Sequence, residues 1–298
     1  MKKSFKINIY IYMKNTRKRL CASCLNFNFN KTLKVNKKQH PKWLDEVNYV
    51  ERFINNYKNM NINYSKKYSN KLNVYIDKKY SNRKILYWGA SSSNSNLLIN
   101  DAKTAYGNFS NSGVSKIDNK GNCNIKINMP QNYKTVEKNG KINKTYFKHI
   151  HFVISNTNND SWNSEIFTKL IHNNYDYNNF IKKLNSKEVI ILNVLPSEMY
   201  AKDHIINTYN LPFKDIKKMS IKELNNWLYS LININYIKIK KILDAKKMEL
   251  YEIPIICYCA HNKCDASKIA CESLMKKGFV NVSLYEDGLK GYKQHNKN

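Results

Sequence analysis

The chain has little glycine and proline, with 8 and 5 copies in 298 residues, and it has no acidic residue before Asp45. It also lacks an apolar run long enough to cross a bilayer, and residues 7–13 are too short and interrupted for the core of a signal peptide. We therefore expect no membrane partner. The seven cysteines are an odd number, and four of them fall between residues 257 and 271, unlike a secreted disulfide framework. These features predict an intracellular, reducing compartment, first of all the cytoplasm.

The formal net charge is +29, a value typical of proteins that bind nucleic acids. The lysines are nevertheless spread over the whole chain together with asparagine, isoleucine and tyrosine, which indicates a biased base composition of the gene. We expect no specific nucleic-acid partner. Residues 1–40 are predicted to be a disordered basic extension, with organelle targeting as the alternative. Its Cys21-Ala-Ser-Cys24 lacks the second cysteine pair that a zinc site of this type needs.

Residues 41–173 are predicted to form a β-rich domain of unknown role. A helix is indicated between Pro41 and about Tyr57 by apolar residues at helical spacing. Alternating or apolar runs then predict strands, and Asp118-Asn-Lys-Gly121 has the composition of a hairpin turn. The predicted strands cover residues 72–76, 85–88, 114–117, 123–129 and 148–154.

Two histidines in the last of these strands have the spacing of metal ligands. His149 and His151 are two residues apart, so both imidazoles point to the same side of the strand. The order of turn, strand, Pro-x-x-Tyr, loop and His-x-His resembles the intradiol ring-cleavage dioxygenases. That resemblance implies an iron site with Tyr133, His149 and His151 as ligands and with Tyr106 suggested as the second tyrosine, although Phe147-Lys148 replaces the family's Arg-Pro. The alternative is a pair of surface histidines.

From about residue 174 to residue 298 the pattern changes to alternating strands and helices, which predicts an α/β domain with a parallel sheet. Strands are predicted at residues 188–194, 253–258 and 280–285, and His204-Ile-Ile is predicted to lead into a further strand. Helices are predicted at residues 178–184, 221–243 with a break near 233–235, and 266–277.

The strand at 253–258 runs into a polar loop, Cys259-Ala-His-Asn-Lys-Cys264, and then into a helix that Gly278 is suited to end. A cysteine that follows a strand and faces a helix N-terminus lies where a thiolate is stabilised. We therefore predict that Cys259 is a nucleophile. Cys257 and Cys271, on the strand and the helix, are predicted to be core residues.

Several short motifs of this region, in the correct order, resemble the rhodanese-like family. Leu192–Tyr200 resembles the family's Asp-Val-Arg strand and turn, and Asp203-His-Ile and Asn210-Leu-Pro resemble its Gly-His-Ile and Asn-Ile-Pro. Cys259 stands at the position of the catalytic cysteine, and Asp287–Tyr292 resembles the closing turn. The resemblance covers about the last 120 residues and implies an α/β rhodanese-like fold, a parallel sheet flanked by helices.

The sequence departs from that family in its charged residues. Asn193 and Leu195 stand where aspartate and arginine are usual, and no arginine lies in or just after the loop. This weakens the capture of an anion such as thiosulfate, for which Lys263 or Lys268 would supply a less directional charge. It also argues against a phosphatase of similar fold, which needs an arginine to bind phosphate. A catalytically silent rhodanese-like interaction module is the alternative to an enzyme.

The resemblance implies a sulfurtransferase that moves sulfane sulfur from a small donor, thiosulfate or a persulfide, to a thiol acceptor through a persulfide on Cys259. Cys264 would then resolve the persulfide or accept its sulfur. No cofactor is required for this chemistry, apart from the metal ion considered for the β-rich domain. The loop is expected to turn backbone N–H groups toward the sulfur as an anion nest. The residues expected to bind the donor are Ala260, His261, Asn262, Lys263, Ser267 and Lys268.

Overall fold

In the computed structural model, the described residues are 33–34, 49–64, 70–92, 97–99, 101–136 and 142–296. They divide into two compact units, one ending at Ile171 and the other beginning at His172. The Cys21–Cys24 pair, most of the predicted basic extension and the start of the helix predicted from Pro41 lie outside these residues. Within the described ranges, no helix combines the length and the apolar character needed to cross a membrane.

The first unit is β-rich, as predicted. Its elements are β1 (Leu33–Lys34), α1 (Tyr49–Asn56), β2 (Asn70–Tyr75), β3 (Lys84–Gly89), α2 (Ala102–Tyr106), β4 (Ser112–Lys116), β5 (Asn122–Ile127), β6 (Tyr133–Val136), β7 (Ile142–Tyr146), β8 (His149–Ile154) and β9 (Phe167–Leu170). Five strands form an antiparallel sheet in the order β1-β9-β8-β3-β4, while β2 pairs with β5 and β6 pairs with β7. The turn predicted at Asp118–Gly121 closes with a hydrogen bond from the Gly121 N–H to the Asp118 carbonyl.

The two faces of β8 have different neighbours, and this decides where its histidines lie. Ile150, Phe152 and Ile154 join an apolar core together with residues of β2, β3 and β5. Because successive side chains of a strand point to opposite faces, His149 and His151 lie on the other face. Every residue of β8 is buried, so this second face is also covered.

The second unit has the predicted α/β fold. Its elements are β10 (Asn173–Asn174), α3 (Tyr177–Ser186), β11 (Ile190–Asn193), α4 (Ser197–Lys202), β12 (Tyr209–Asn210), α5 (Phe213–Lys218), α6 (Ile221–Asn235), α7 (Ile237–Asp244), β13 (Ile255–Tyr258), α8 (Ala266–Lys276), β14 (Val282–Tyr285) and α9 (Gly288–His295). The sheet has the order β10-β14-β13-β11-β12, and all of its neighbours are parallel. The carboxyl ends of β11, β13 and β14 therefore meet at one edge.

The core of this unit explains why its strands are short apolar runs. Ile191, Ile256 and Tyr285 belong to a buried cluster on one face of the sheet, where Phe180 of α3 stacks on Tyr285 with ring centroids 4.0 Å apart. On the other side α8 packs against β13, β14 and α5. Both faces are thus covered, as is usual for parallel sheets.

Two finer predictions about this unit are confirmed. His204-Ile-Ile precedes a further strand, β12 at Tyr209–Asn210, and residues 204–206 themselves lie outside it, with the Ile205 N–H donating to the Tyr258 hydroxyl (3.1 Å). The break in the long helical stretch lies at Tyr236, next to the predicted position. Gly278 follows α8 with a φ of 105°, which agrees with its predicted role in ending the helix.

Candidate functional site

Cys259 lies where β13 ends, at the edge of the sheet where the carboxyl ends of the central strands meet. Its side chain is 0% exposed. The loop that follows leads directly into α8, whose first residues are Ala266 and Ser267. The parallel sheet therefore places one buried thiol between a strand end and a helix N-terminus, as the sequence predicts.

The sulfur of Cys259 is enclosed by its own loop. Its Sγ lies 3.2 Å from the carbonyl oxygen of Cys264, 3.4 Å from Oγ of Ser267 and 3.8 Å from the carbonyl oxygen of His261. Carbonyl oxygens accept hydrogen bonds, so the protonated thiol is the form that suits this arrangement. The backbone N–H of Ser267 also hydrogen-bonds the sulfur, and this is the N–H contact of the kind expected for an anion nest.

The electrostatics of the site differ from the expectation that the thiolate is stabilised. Burial, with a smaller contribution from the side chain of Cys264, raises the pKa of Cys259 to about 11. The hydroxyl and backbone N–H of Ser267 act in the opposite direction, but burial is the larger effect. In this state the thiol is protonated at neutral pH, since the loop removes water from the sulfur without surrounding it with positive charge.

The loop is held in place by the first turn of α9. The N–H of Leu289 donates to the Cys259 carbonyl (3.0 Å), and the N–H of Lys290 donates to the Ala260 carbonyl (2.9 Å). The first N–H groups of a helix have no partner inside the helix, so this turn has donors to offer. Sequence reasoning noted the closing turn but missed this role; the signal available was the Asp287-Gly288 pair ahead of the turn.

Gly288 permits this close approach. Its φ is 59°, and a Cβ atom there would overlap the Cys259 carbonyl oxygen and lie 3.0 Å from the Ala260 carbonyl carbon and the His261 nitrogen. A glycine is therefore needed both for the backbone conformation and for the space.

The predicted donor-binding residues are not all alike in position. Ser267 is buried against the sulfur, and Ala260 and Cys264 are partly buried. His261 accepts a hydrogen bond at Nδ1 from the Lys263 N–H (3.3 Å). The exposed part of the loop consists of His261, Asn262, Lys263 and Asp265.

Lys268 is paired with a carboxylate that the sequence did not reveal as its partner. Its Nζ lies 3.4 Å from Glu286, the residue that follows β14. The cation that was expected to attract an anionic donor is thus largely offset by a neighbouring negative charge.

The departures from the family pattern at the end of β11 are compensated by amide hydrogen bonds. Oδ1 of Asn193 accepts from the Leu195 N–H (2.9 Å), and Nδ2 of Asn210 donates to the carbonyls of Asn193 (3.1 Å) and Leu195 (2.8 Å). Leu195 is itself buried. The turn is therefore braced by neutral groups in place of an ion pair.

In the first unit, four side chains converge that the sequence had associated with a metal. The hydroxyl of Tyr106 lies 2.9 Å from Nε2 of His149 and 3.5 Å from the hydroxyl of Tyr133, and Nε2 of His149 lies 3.2 Å from Nε2 of His151. Each histidine is 5% exposed and each tyrosine 1%. The alternative of surface histidines is therefore wrong.

The outer nitrogens of the two imidazoles show which nitrogens face the centre of this cluster. Nδ1 of His149 lies 2.6 Å from the Phe147 carbonyl, which only accepts hydrogen bonds, so this nitrogen carries the proton. Nδ1 of His151 lies 2.7 Å from Oγ1 of Thr168. Burial lowers the pKa of His149 to about 4, so this imidazole is neutral with its Nε2 lone pair turned inward. A metal-binding histidine commonly has this outer partner.

The spacing of the two imidazole nitrogens fits a shared ion. Two nitrogens bound to one metal at about 2.0–2.1 Å lie about 2.9–3.4 Å apart for angles of about 90–110°, and the observed separation of the two Nε2 atoms falls inside this interval. No group of three or more His, Cys, Asp and Glu side chains suited to a metal occurs among the described residues. The cluster differs from such groups because phenols supply two of its donors.

The family match lies in the second unit. Residues 176–295 match the family model described as Rhodanese-like domain. Three solved structures are similar: a Bacillus halodurans protein (18% identity, 42% of this chain and 73% of that chain, TM-score 0.30), an uncharacterized Saccharomyces cerevisiae protein (18%, 42% and 94%, 0.32) and a rhodanese-related Thermoplasma volcanium protein (18%, 42% and 93%, 0.28). No curated protein matches the chain.

Proposed function

Residues 176–295 form a rhodanese-like domain, and from this premise we propose that the protein is a sulfurtransferase that carries sulfane sulfur on Cys259. The observation that carries the proposal is the position of this thiol, which is buried at the carboxyl end of β13 and enclosed by a loop with Ser267 beside the sulfur. The donor is a small molecule with a sulfane sulfur, and the acceptor is a thiol.

The reaction begins with loss of the Cys259 proton, which the closed loop disfavours. The hydroxyl and N–H of Ser267 stabilise the thiolate that forms. The thiolate attacks the outer sulfur of the donor, the bond from that sulfur to the rest of the donor breaks, and the electron pair leaves with the remainder as a thiolate or, from thiosulfate, as sulfite. Cys264, in the same loop, then attacks the outer sulfur and takes it over as its own persulfide, or attacks the Cys259 sulfur to form a disulfide with release of hydrogen sulfide.

Mass spectrometry of the intact protein after exposure to a persulfide or to thiosulfate tests this function. We expect a gain of one sulfur atom that maps to Cys259, disappears in Cys259→Ser and persists in Cys271→Ser, whose thiol is buried on α8. In Cys264→Ser the adduct should last longer, because the second thiol no longer removes the sulfur. Absence of an adduct with every donor would contradict the enzyme and favour the silent interaction module.

A second function is supported by the buried cluster in the first unit. We propose that Tyr106, Tyr133, His149 and His151 bind one metal ion, with iron or zinc as the candidates because imidazole suits both. The neutral, inward-facing Nε2 of His149, the separation of the two Nε2 atoms and the closeness of the Tyr106 hydroxyl to His149 and Tyr133 support the site. The resemblance to intradiol ring-cleavage dioxygenases stays a prediction.

Elemental analysis of the purified full-length protein tests the metal site. We expect about one metal ion per chain, lost in the double variant His149→Ala/His151→Ala and reduced in Tyr106→Phe, which removes one oxygen donor. His204→Ala is the control, since this histidine is exposed and its Nδ1 contacts the Tyr200 carbonyl in the other unit. Equal metal content in the double variant and the wild type would refute the site.

A further inference from the structure

The charges around Cys259 contrast with the strongly basic chain as a whole. The net charge of the protein is +29. The loop from Cys259 to Lys268 and the closing turn from Glu286 to Lys290 contain three lysines, and these are offset by three carboxylates. The lysines are Lys263, Lys268 and Lys290, and the carboxylates are Asp265, Glu286 and Asp287.

Arginine, the side chain best suited to bind an oxyanion with two parallel hydrogen bonds, is absent from residues 172–298. The last arginine in the chain is Arg83. Lysine is a less directional substitute. Of the two lysines considered for this role, Lys268 is engaged with Glu286 at 3.4 Å, and Lys263 lies on the exposed side of the loop.

The immediate surroundings of the sulfur also lack positive charge. The carbonyl oxygens of Cys264 and His261 lie 3.2 and 3.8 Å from Sγ, and the Cys259 and Ala260 carbonyls take up the N–H groups of Leu289 and Lys290. These two N–H groups at the N-terminus of α9 are therefore already bonded to carbonyls of the loop. Ser267 supplies a hydroxyl and an N–H beside the sulfur, but an incoming dianion would also meet the carbonyl oxygens of His261 and Cys264.

We propose that the sulfur donor of Cys259 is an alkyl persulfide, R–S–SH, and not thiosulfate. This inference rests on the proposed sulfurtransferase function and narrows its substrate class. In the step, the Cys259 thiolate forms a bond to the outer sulfur of R–S–SH. The bond between the two donor sulfurs breaks, and its electron pair leaves on R–S⁻, which takes up a proton.

The proton and charge balance of this step suits a neutral site. The overall change is Cys–SH plus R–S–SH to Cys–S–SH plus R–SH, so no group in the step carries more than one negative charge. Thiosulfate, in contrast, enters as a dianion and releases sulfite, so its transfer requires cationic groups at the loop. The paired Lys268 and the absence of arginine leave this requirement to the less directional lysines Lys263 and Lys290.

Loading of the full-length protein with 2-hydroxyethyl persulfide, an alkyl persulfide without carboxylates, and with thiosulfate, at equal concentrations, tests the proposal by intact-protein mass spectrometry. We expect the persulfide to load Cys259 roughly 100-fold faster, because a charged hydrogen bond contributes about 1.5–3 kcal/mol and the dianion finds none of that type here. Thiosulfate loading at the rate of the persulfide or above would overturn the donor assignment and leave sulfur transfer intact. Loading by neither donor would overturn the sulfurtransferase function itself.

A charge variant separates the electrostatic explanation from other causes of selectivity. Glu286→Gln releases Lys268 from its carboxylate, and we expect thiosulfate loading to rise about fivefold, since an exposed ion pair is worth up to about 1 kcal/mol. Persulfide loading should stay within about twofold. The matched control is Glu272→Gln, which releases Lys276 from a comparable pair at 3.9 Å on α8. A thiosulfate rate that is unchanged in Glu286→Gln, or raised equally in Glu272→Gln, would refute the explanation.

Discussion

Replacement of Gly288 by alanine should damage the Cys259 loop although residue 288 is remote from it in sequence. The φ of 59° at Gly288 costs an alanine about 1–2 kcal/mol. The added Cβ would also overlap the Cys259 carbonyl oxygen and press on the backbone of Ala260 and His261. Backbone atoms cannot move aside as a flexible side chain can, so we add about 1–3 kcal/mol for overpacking.

The free energy of unfolding of the second unit should therefore fall by about 2–5 kcal/mol in Gly288→Ala. Hydrogen exchange with mass spectrometry measures this separately for each unit of the full chain. Sulfur loading of Cys259 should also slow by about tenfold or more, because a distorted loop needs to raise the activation free energy of the transfer by only about 1.4 kcal/mol for that factor.

A control in the same unit distinguishes backbone strain from the clash. Asn207 has a φ of 64° and is exposed, so Asn207→Ala should lower stability by about 1 kcal/mol without slowing sulfur loading. If Gly288→Ala showed wild-type exchange rates in the second unit and loaded sulfur within about twofold of the wild type, the role assigned to the α9 turn would be wrong.

Three further predictions concern the same unit. The pKa of Cys259 is raised to about 11 from an ordinary value of 9.0, so its contribution to stability is complete below pH 9 and is lost as the pH rises toward 11. Between about pH 8 and about pH 10, the urea midpoint of Cys259→Ala should therefore fall less than that of the wild type. Equal slopes of midpoint against pH would contradict this prediction. Tyr258→Phe should lower the free energy of unfolding by about 1–3 kcal/mol, because the buried hydroxyl binds the Ile205 N–H (3.1 Å) and Oγ1 of Thr208 (2.8 Å). The control is Tyr177→Phe, whose exposed hydroxyl contacts Asn296, and thermal denaturation should show a loss of less than about 1 kcal/mol. Ser220→Ala removes the N-cap of α6, where Oγ accepts from the Glu223 N–H (3.2 Å), and should lower the free energy of unfolding by about 1 kcal/mol. Ser273→Ala, inside α8, should leave it nearly unchanged. The reverse order of the two variants in urea unfolding would refute the cap assignment.

The local pattern was sufficient to predict the frame of the Cys259 site. The apolar run at 253–258, the polar loop and the amphipathic stretch at 266–277 correspond to β13, the loop and α8, with ends that differ by no more than two residues. Helical and strand periodicity are properties of neighbouring residues, and buried parallel strands are short apolar runs. The alternating strands around Cys123 and His149 were predictable for the same reason.

The pKa of Cys259 and the pairing of Lys268 were not predictable in this way. Both depend on groups brought together by the sheet: Glu286 follows β14, and the α9 turn reaches the loop from near the end of the chain. The sequence pattern predicted a stabilised thiolate because a helix N-terminus favours anions. In the fold, burial outweighs that effect.

The sequence by itself determined the α/β order of the second unit, the position of Cys259 at a strand end and the His149-x-His151 spacing, because these follow from short-range periodicity and residue type. The tertiary structure decided which groups meet. It turned both histidines to a buried face with Tyr106 and Tyr133, set carbonyl oxygens beside the Cys259 sulfur and paired Lys268 with Glu286. Electrostatic and coordination chemistry depend on distances between residues far apart in the chain, and only the packing of elements within each unit sets those distances.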